Sequence, residues 1–317
     1  MSHQRQASHD ALKEPHCVSV KVLRLSRPSL VTQYPIERPL PRGSKRPDLA
    51  PASLAYRSSA DTNPAPFLLS PILNLPVSFG SAYVGETFSC TLCANNDVAA
   101  DSSKKICDVR ISAEMKTPGA GAAHELELTP AREPAGTDLD AGGTLQRVVS
   151  FDLKEEGNHV LAVTVSYYEA AETSGRTRTF RKLYQFMCKA SLIVRTKVGA
   201  LEADGGGRRR WVLEAQLENC SEDTVQLEKV VMELDEGFRY ADCNWGLGGG
   251  GGGDRPVLHP GEVEQVCFVI GEEAARQAET AAADTRLSFG VLGIGWRGQM
   301  GNRGFLSTGK LGTRAAR

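Results

Sequence analysis

Along most of this chain apolar and polar residues alternate with a period of two, the mark of a half-buried β-strand. The pattern is clearest from Leu75 to Asp97, LPVSFGSAYVGETFSCTLCANND. There Gly80-Ser81 and Gly85-Glu86 punctuate the chain, and Phe88, Cys90 and Leu92 then oppose Thr87, Ser89 and Thr91. Asn95-Asn96-Asp97 ends the run with residues that tolerate turn geometry. Earlier, Cys17 to Leu25 places Val18, Val20, Val22 and Arg24 on one face. Ile106 to Met115, His124 to Leu128, Gly142 to Leu153 and His159 to Tyr168 repeat the pattern, and Gly175 marks a hairpin. Thr177 to Val194 supplies one long strand or two. Turn signals at this spacing predict a β-sandwich.

A second block begins near Thr196. Trp211 to Leu217, Val225 to Leu234, Val263 to Ile270 and Leu287 to Trp296 read as strands, and Phe305 to Thr308 as the last one. Ala274 to Ala283 is alanine-rich and predicts a short helix. Both blocks run in one order: strand, Asn-rich turn, strand with a charged outer face, loop, Gly-Glu turn, strand. The expectation is an all-β chain of tandem immunoglobulin-like β-sandwiches. Residues 1–16 form a disordered tail, 17–195 the first sandwich, 196–308 the second and 309–317 a further tail. Within the first sandwich, residues 35–66 are rich in proline and poor in large apolar side chains. That composition does not offset its own ordering entropy, and the segment reads as a disordered insert.

Composition narrows the function classes. The 317 residues carry a net charge of -1, so no overall field draws the chain to nucleic acid or anionic lipid. No stretch approaches the roughly 20 apolar residues of a membrane helix. The first residues, MSHQRQASHDALKEPH, contain no apolar core of a secretory signal. The eight cysteines are therefore expected as reduced thiols in the cytosol, and the glycosylation pattern Asn219-Cys220-Ser221 as unused.

Each candidate motif fails on context. Cys90-Thr91-Leu92-Cys93 sits within a strand, where a spacing of three puts the sulfurs on opposite faces, and no second pair completes a zinc site. Gly304 to Lys310, GFLSTGK, looks like a phosphate-binding loop, but Leu311 stands where Ser or Thr is needed and too few residues follow for a helix. The six glycines Gly248 to Gly253 have no lysine and read as a linker. Arg208-Arg209-Arg210 beside Trp211 reads as a charged strand edge rather than a nucleic-acid platform, and the basic run Arg38 to Arg46 as solvated. His3, His9, His16, His124, His159 and His259 join no motif. No catalytic, cofactor-binding or metal-binding residue is expected, and no partner-binding residue is assigned.

The order of motifs is informative where the single motifs are not. VSVKVLRLSRPSL, LPVSFGSAYVGETFSCTLCANND, FDLKEEGNHVLAVTVSYY and RTFRKLYQFMCKASLIVRTKV together resemble the N-terminal part of the trafficking protein particle complex subunit 13 family. WVLEAQLENCSEDTVQLEKVVME, PGEVEQVCFVI and GIGWRGQMGNRGFLSTGKL resemble its middle domain. The resemblance implies an accessory, non-catalytic scaffold in the TRAPP assembly, a tether and exchange factor for Rab-type GTPases in ER-to-Golgi transport and autophagy. It implies other TRAPP subunits as partners, indirect contact with a Rab GTPase and Golgi membranes, no nucleic acid, no small-molecule substrate and no cofactor. The implied location is cytoplasmic, peripheral to ER and Golgi membranes. The family ordinarily carries a third sandwich, and this sequence stops at Arg317, short of it. A reading from another class is an arrestin-like cargo adaptor, for which Arg178, Arg181 and Lys182 offer a basic cluster for a peptide, although a solvated strand face is the better reading of these three residues. A secreted adhesion module and an enzyme rank below both.

Overall fold

The computed structural model describes residues 14–30, 73–76, 79–119, 121–131, 136–172, 174–245, 255–273 and 286–314. Every regular element among them is a strand. In chain order they are β1 (Val18–Arg24), β2 (Ser29–Leu30), β3 (Leu73–Asn74), β4 (Ala82–Tyr83), β5 (Thr87–Asn96), β6 (Lys105–Lys116), β7 (His124–Glu125), β8 (Thr137–Leu139), β9 (Thr144–Asp152), β10 (Gly157–Ala170) and β11 (Gly175–Lys189). After these come β12 (Leu192–Leu201), β13 (Arg210–Asn219), β14 (Val225–Leu234), β15 (Phe238–Asp242), β16 (Val257–Leu258), β17 (Val263–Glu272), β18 (Arg286–Gly298), β19 (Arg303–Ser307) and β20 (Leu311–Arg314).

Alternation decides how these strands layer. β1, β5 and β9 form one sheet, and β4-β11-β10-β6 a second, with β7 and β8 along the outer edge of β6. Phe88, Cys90 and Leu92 of β5 are fully buried in one cluster with Ile111 of β6 and with Leu161 and Val163 of β10. Two sheets sharing one core make a sandwich. The second half repeats the plan. The sheet β12-β13-β17-β15 faces the sheet β16-β14-β18-β19, with β20 also on β18. Leu213 and Phe268 of the former share a core with Leu227, Ile294 and Trp296 of the latter. All pairings are antiparallel except β4 on β11, where Ala82 and Tyr83 run parallel to Cys188 and Lys189.

Period two also places single residues. Arg24 shares the inner face of β1 and is buried, its guanidinium 5.8 Å from the Phe88 ring centroid and bonded at 3.0 Å to Ser26. Burial, then the nearby Arg27 charge, pushes its pKa down to about 10. Cys90 points inward and Cys93 lies on the other face, half-buried, as a spacing of three in a strand requires.

Several expectations differ from what is observed. Residues 311–314, assigned to a tail, form β20, because Gly312 lets the backbone approach Leu287 so closely that a Cβ there would lie 2.0 Å from its carbonyl oxygen. Residues 14–16, also assigned to a tail, are held against β10 and β11 by Arg176 and Arg178. The chain passes between sandwiches at Ala190-Ser191, and residues 192–195 already pair with β13. β8 and β16 are too short to show a period, and β15 buries only Phe238. The expected insert 35–66, the glycine run 248–253 and the alanine-rich stretch 274–283 lie outside the described residues.

Candidate functional site

A dense polar arrangement lies at the seam between the two sandwiches. It is built from the stretch Phe79 to Glu86 on one side and the turn after β13 on the other. Arg27, in a left-handed conformation (φ 58°) just past β1, turns its guanidinium under the seam. It lies 4.5 Å from the Tyr83 ring centroid and donates to both oxygens of Glu86, at 2.7 and 2.9 Å. Its other terminal nitrogen donates to Asp223 of the second sandwich. The Glu222 amide donates to the Tyr83 hydroxyl at 3.1 Å, and the Glu222 carboxylate accepts from Ser81 at 3.0 Å and Lys189 at 3.1 Å. Ser191 donates to the Val84 carbonyl at 2.6 Å.

Backbone completes the seam. Gly85 donates to Leu153 at 2.7 Å and accepts from Phe305 at 2.9 Å, so β19 is stitched to the first sandwich through a glycine. Gly85 has φ +88°, and a Cβ there would meet the Phe305 carbonyl oxygen at 2.5 Å and the Trp296 ring at 2.6 Å. A Cβ on Gly304 would overlap the same indole at 2.2 Å. Both positions therefore need glycine for close approach. Burial raises the pKa of Glu86, and Arg27 opposes that shift. The Lys189 and Ser81 bonds hold Glu222 below the usual carboxylate range.

Beside the seam lies an open cleft of about 820 Å³, floored by Leu153, Trp296 and Phe305 and rimmed by Asp152, Lys154, Glu228, Lys229 and Arg303. Both acidic residues of the rim have partners. Glu228 is shared by Arg297, Arg255 at 3.7 Å and Arg303 at 3.5 Å. Thr87 donates to Asp152 at 2.7 Å. Neither histidine nor cysteine is among the described residues of the lining. No group of three metal-ligating side chains occurs among the described residues. The arrangement can bind and position.

A second ionic cluster ties down the start of the chain. Glu169, its side chain 5% exposed, accepts from Lys104 at 2.8 Å and Arg178 at 3.2 Å, with Arg176 at 3.6 Å. Burial alone would raise its pKa, but these cations outweigh burial and lower it. Arg178 also donates to the Pro15 carbonyl at 2.8 Å, and the Tyr167 hydroxyl accepts from the Cys17 amide at 3.1 Å.

The model for the N-terminal domain of trafficking protein particle complex subunit 13 matches residues 16–188, and the model for its middle domain matches residues 192–316. The chain belongs to the trafficking protein particle complex subunit 13 family. The subunit 13 of Xenopus tropicalis is 28% identical over 94% of this chain and 69% of its own length. That of Pongo abelii is 30% identical over 94% and 70%, and the probable homologue of Drosophila melanogaster 28% identical over 94% and 64%. The two subunit 13 family models meet where β11 gives way to β12, between Lys189 and Leu192.

Within this subunit 13 framework the sequence candidates disperse. Arg178 and Arg181 belong to internal pairs, the latter with Glu114 at 2.8 Å, and Lys182 reaches the Val20 carbonyl at 3.4 Å. Arg208 pairs with Asp204 at 2.8 Å; Arg209 pairs with Glu272 at 2.5 Å and lies 5.5 Å from the Trp211 ring. The phosphate-loop look-alike is β19 and its following turn, with Lys310 on Asp235 at 3.2 Å. His159 is buried against Phe186, His259 bonds Thr224 at 3.0 Å, and His124 lies 6.1 Å from Phe151. The Asn219 amide is buried and donates to two carbonyls, so it is closed to glycosylation in the folded chain. None of the eight cysteines is in a disulfide. Arg27, Glu86, Glu222 and Asp223 were not singled out by sequence. The Gly80-Ser81 and Gly85-Glu86 steps hinted at the seam.

Proposed function

We propose that this chain is a non-catalytic scaffold subunit of a TRAPP assembly, acting in ER-to-Golgi transport and autophagy by holding other subunits in position. The observation that carries the reading is the match of two consecutive subunit 13 domain models across nearly the whole chain. The relatives are named as subunits of that complex. The seam supports it physically, since a network of ion pairs and close glycine contacts gives two sandwiches a defined mutual orientation, as a spacer between partners needs. Exchange activity toward a Rab-type GTPase, on this reading, belongs to other subunits, and the chain reaches Golgi membranes from the cytoplasm through them.

Affinity purification of the tagged chain from its own cells, followed by mass spectrometry, tests the proposal. Recovery of TRAPP subunits in near-stoichiometric amounts is the expected result. Recovery of membrane cargo receptors without them would favour the arrestin-like adaptor and sink the scaffold reading.

A further inference from the structure

Cys243 and Cys267 form an opposed pair. The β15–β17 ladder aligns Ala241 with Val269 and Asp242 with Phe268, so the next rung sets Cys243 against Cys267. That rung exists: the Cys243 amide donates to the Cys267 carbonyl at 3.2 Å. Residues directly opposed in a hydrogen-bonded antiparallel rung have Cα atoms about 5.5 Å apart, inside the roughly 4.4–6.8 Å range that disulfides span. Both side chains project to the same, outer face. Val266 and Phe268 on either side of Cys267 are buried in the core, whereas Cys267 is half-buried and Cys243 exposed. The return bond of the rung is missing, because the Cys267 amide donates instead to the Asn244 side chain at 2.7 Å. Cys243 is thus the last residue of the ladder, and Asn244 closes it. Burial first, and then the neighbouring Cys243 thiol, raise the pKa of Cys267.

No other cysteine of the eight has such a partner. Cys90 faces Arg24 and Val149, Cys93 faces Lys21 and Gln146, Cys107 faces Tyr168, and Cys188 faces Gly157. Cys17 and Cys220 lie outside the paired strands.

We propose that Cys243 and Cys267 are a thiol–disulfide modification site that takes a small disulfide such as oxidised glutathione as its oxidant. The exposed Cys243, as thiolate, attacks one sulfur of the glutathione disulfide and expels one glutathione thiolate. The Cys267 thiolate then attacks the Cys243 sulfur of the mixed disulfide and expels the second. One protein S–S bond forms, the glutathione S–S bond is reduced to two thiols, and the two cysteine protons pass through solvent to the two leaving groups. The product closes residues 243–267 into a ring containing the six-glycine run and pins the free end of β15 to β17. An exposed bridge at a strand end is readily reduced, as a reversible site requires.

Equilibration of the intact, prereduced chain in glutathione buffers of rising oxidised fraction, followed by blocking of free thiols and peptide mapping, tests the site. The expected product is a Cys243–Cys267 linked peptide, an intact mass lower by two hydrogens, and full reversal by dithiothreitol. Cys267→Ser should trap a stable glutathione adduct on Cys243 and form no ring. Three outcomes overturn the proposal: both thiols stay open to the blocking reagent at every ratio; the wild-type chain retains the Cys243 adduct with Cys267 free; or Cys243 links to a different cysteine.

Discussion

Asn96 and Asn219 hold equivalent places in the two sandwiches. Each ends a central strand, and each is buried. The Asn96 amide donates to Gly143 at 2.9 Å and its carbonyl accepts from Gly142 at 3.0 Å; the Asn219 amide donates to Glu262 at 3.0 Å and its carbonyl accepts from Gly261 at 2.7 Å. Both glycines that accompany them, Gly142 and Gly261, have positive φ. The side chains match as well. Asn96 Nδ2 donates to the carbonyls of Leu139 and Asp140 while Oδ1 accepts from Val98, two residues on. Asn219 Nδ2 donates to Asp223 and Leu258 while Oδ1 accepts from Ser221, again two residues on.

Replacing either asparagine removes its side-chain bonds to two backbone carbonyls and one backbone amide. Asn96→Ala and Asn219→Ala should each cost about 2–4 kcal/mol. Because the sites lie in separate cores, the double variant should lose close to the sum. Urea unfolding of the whole chain measures both, and a loss below 1 kcal/mol in either single variant would contradict the keystone role.

The seam should open when its close contacts are filled. Gly304→Ala places a methyl against the Trp296 indole, whereas Gly309→Ala, with open space around it, serves as control. The first variant should shift tryptophan emission to the red and enlarge the particle in small-angle scattering; the second should do neither. A Gly304→Ala chain with unchanged scattering would mean that Trp296 is not what holds β19 to the first sandwich.

Arg27→Ala should strand Glu86 in a buried site and cost about 3 kcal/mol at neutral pH. The sign of its pH dependence follows from the direction of the Glu86 shift. A carboxyl whose folded pKa is raised stabilises the fold at low pH and loses that contribution as pH rises through the folded value. Removing Arg27, which opposes the rise, strengthens this effect, so the gap to wild type should narrow on acidification toward the ordinary carboxylate range. The Arg27→Ala/Glu86→Gln double variant should recover much of the loss and show no narrowing. Equal pH profiles for the single and double variants would remove Glu86 from the account.

Acid should release the segment 14–17 from β10 and β11. Glu169 has a lowered folded pKa, so its contribution is complete above the ordinary carboxylate value and disappears as pH falls through the folded one. His16, lowered first by burial and then by Arg178, loses its contribution in the same direction, starting below its ordinary value of 6.5. Hydrogen exchange at the Cys17 amide, corrected for intrinsic rates, should accelerate on acidification in the wild-type chain. In Glu169→Gln it should already be fast at neutral pH. Protection of Cys17 that persists unchanged to pH 4 would contradict this ionic tether.

Much of the fold is legible in the sequence because alternation is local. Phe88, Cys90 and Leu92 had to face one way whatever they met, and a burial difference between Cys90 and Cys93 follows from their spacing alone. The repeated order of strand, asparagine turn and glycine turn was likewise visible, since turn chemistry depends on a few adjacent residues. The subunit 13 resemblance rested on the order of longer motifs along the chain. Four relationships depended on the tertiary structure. Arg27 reaches Glu86 across 59 positions and Asp223 across 196, and no local pattern relates such residues. Leu311–Arg314 carries no useful alternation and becomes a strand only because β18 offers it an edge. Arg178 and Arg181 read as a solvated strand face in the chain, yet folding brings Glu169 and Glu114 to them. Cys243 and Cys267 look like scattered thiols until the β15–β17 register sets them on one rung. Period and turn propensity act through neighbours along the chain; the seam, the ion pairs and the thiol pair arise from contacts between strands, which the chain's local chemistry leaves open until the sheets assemble.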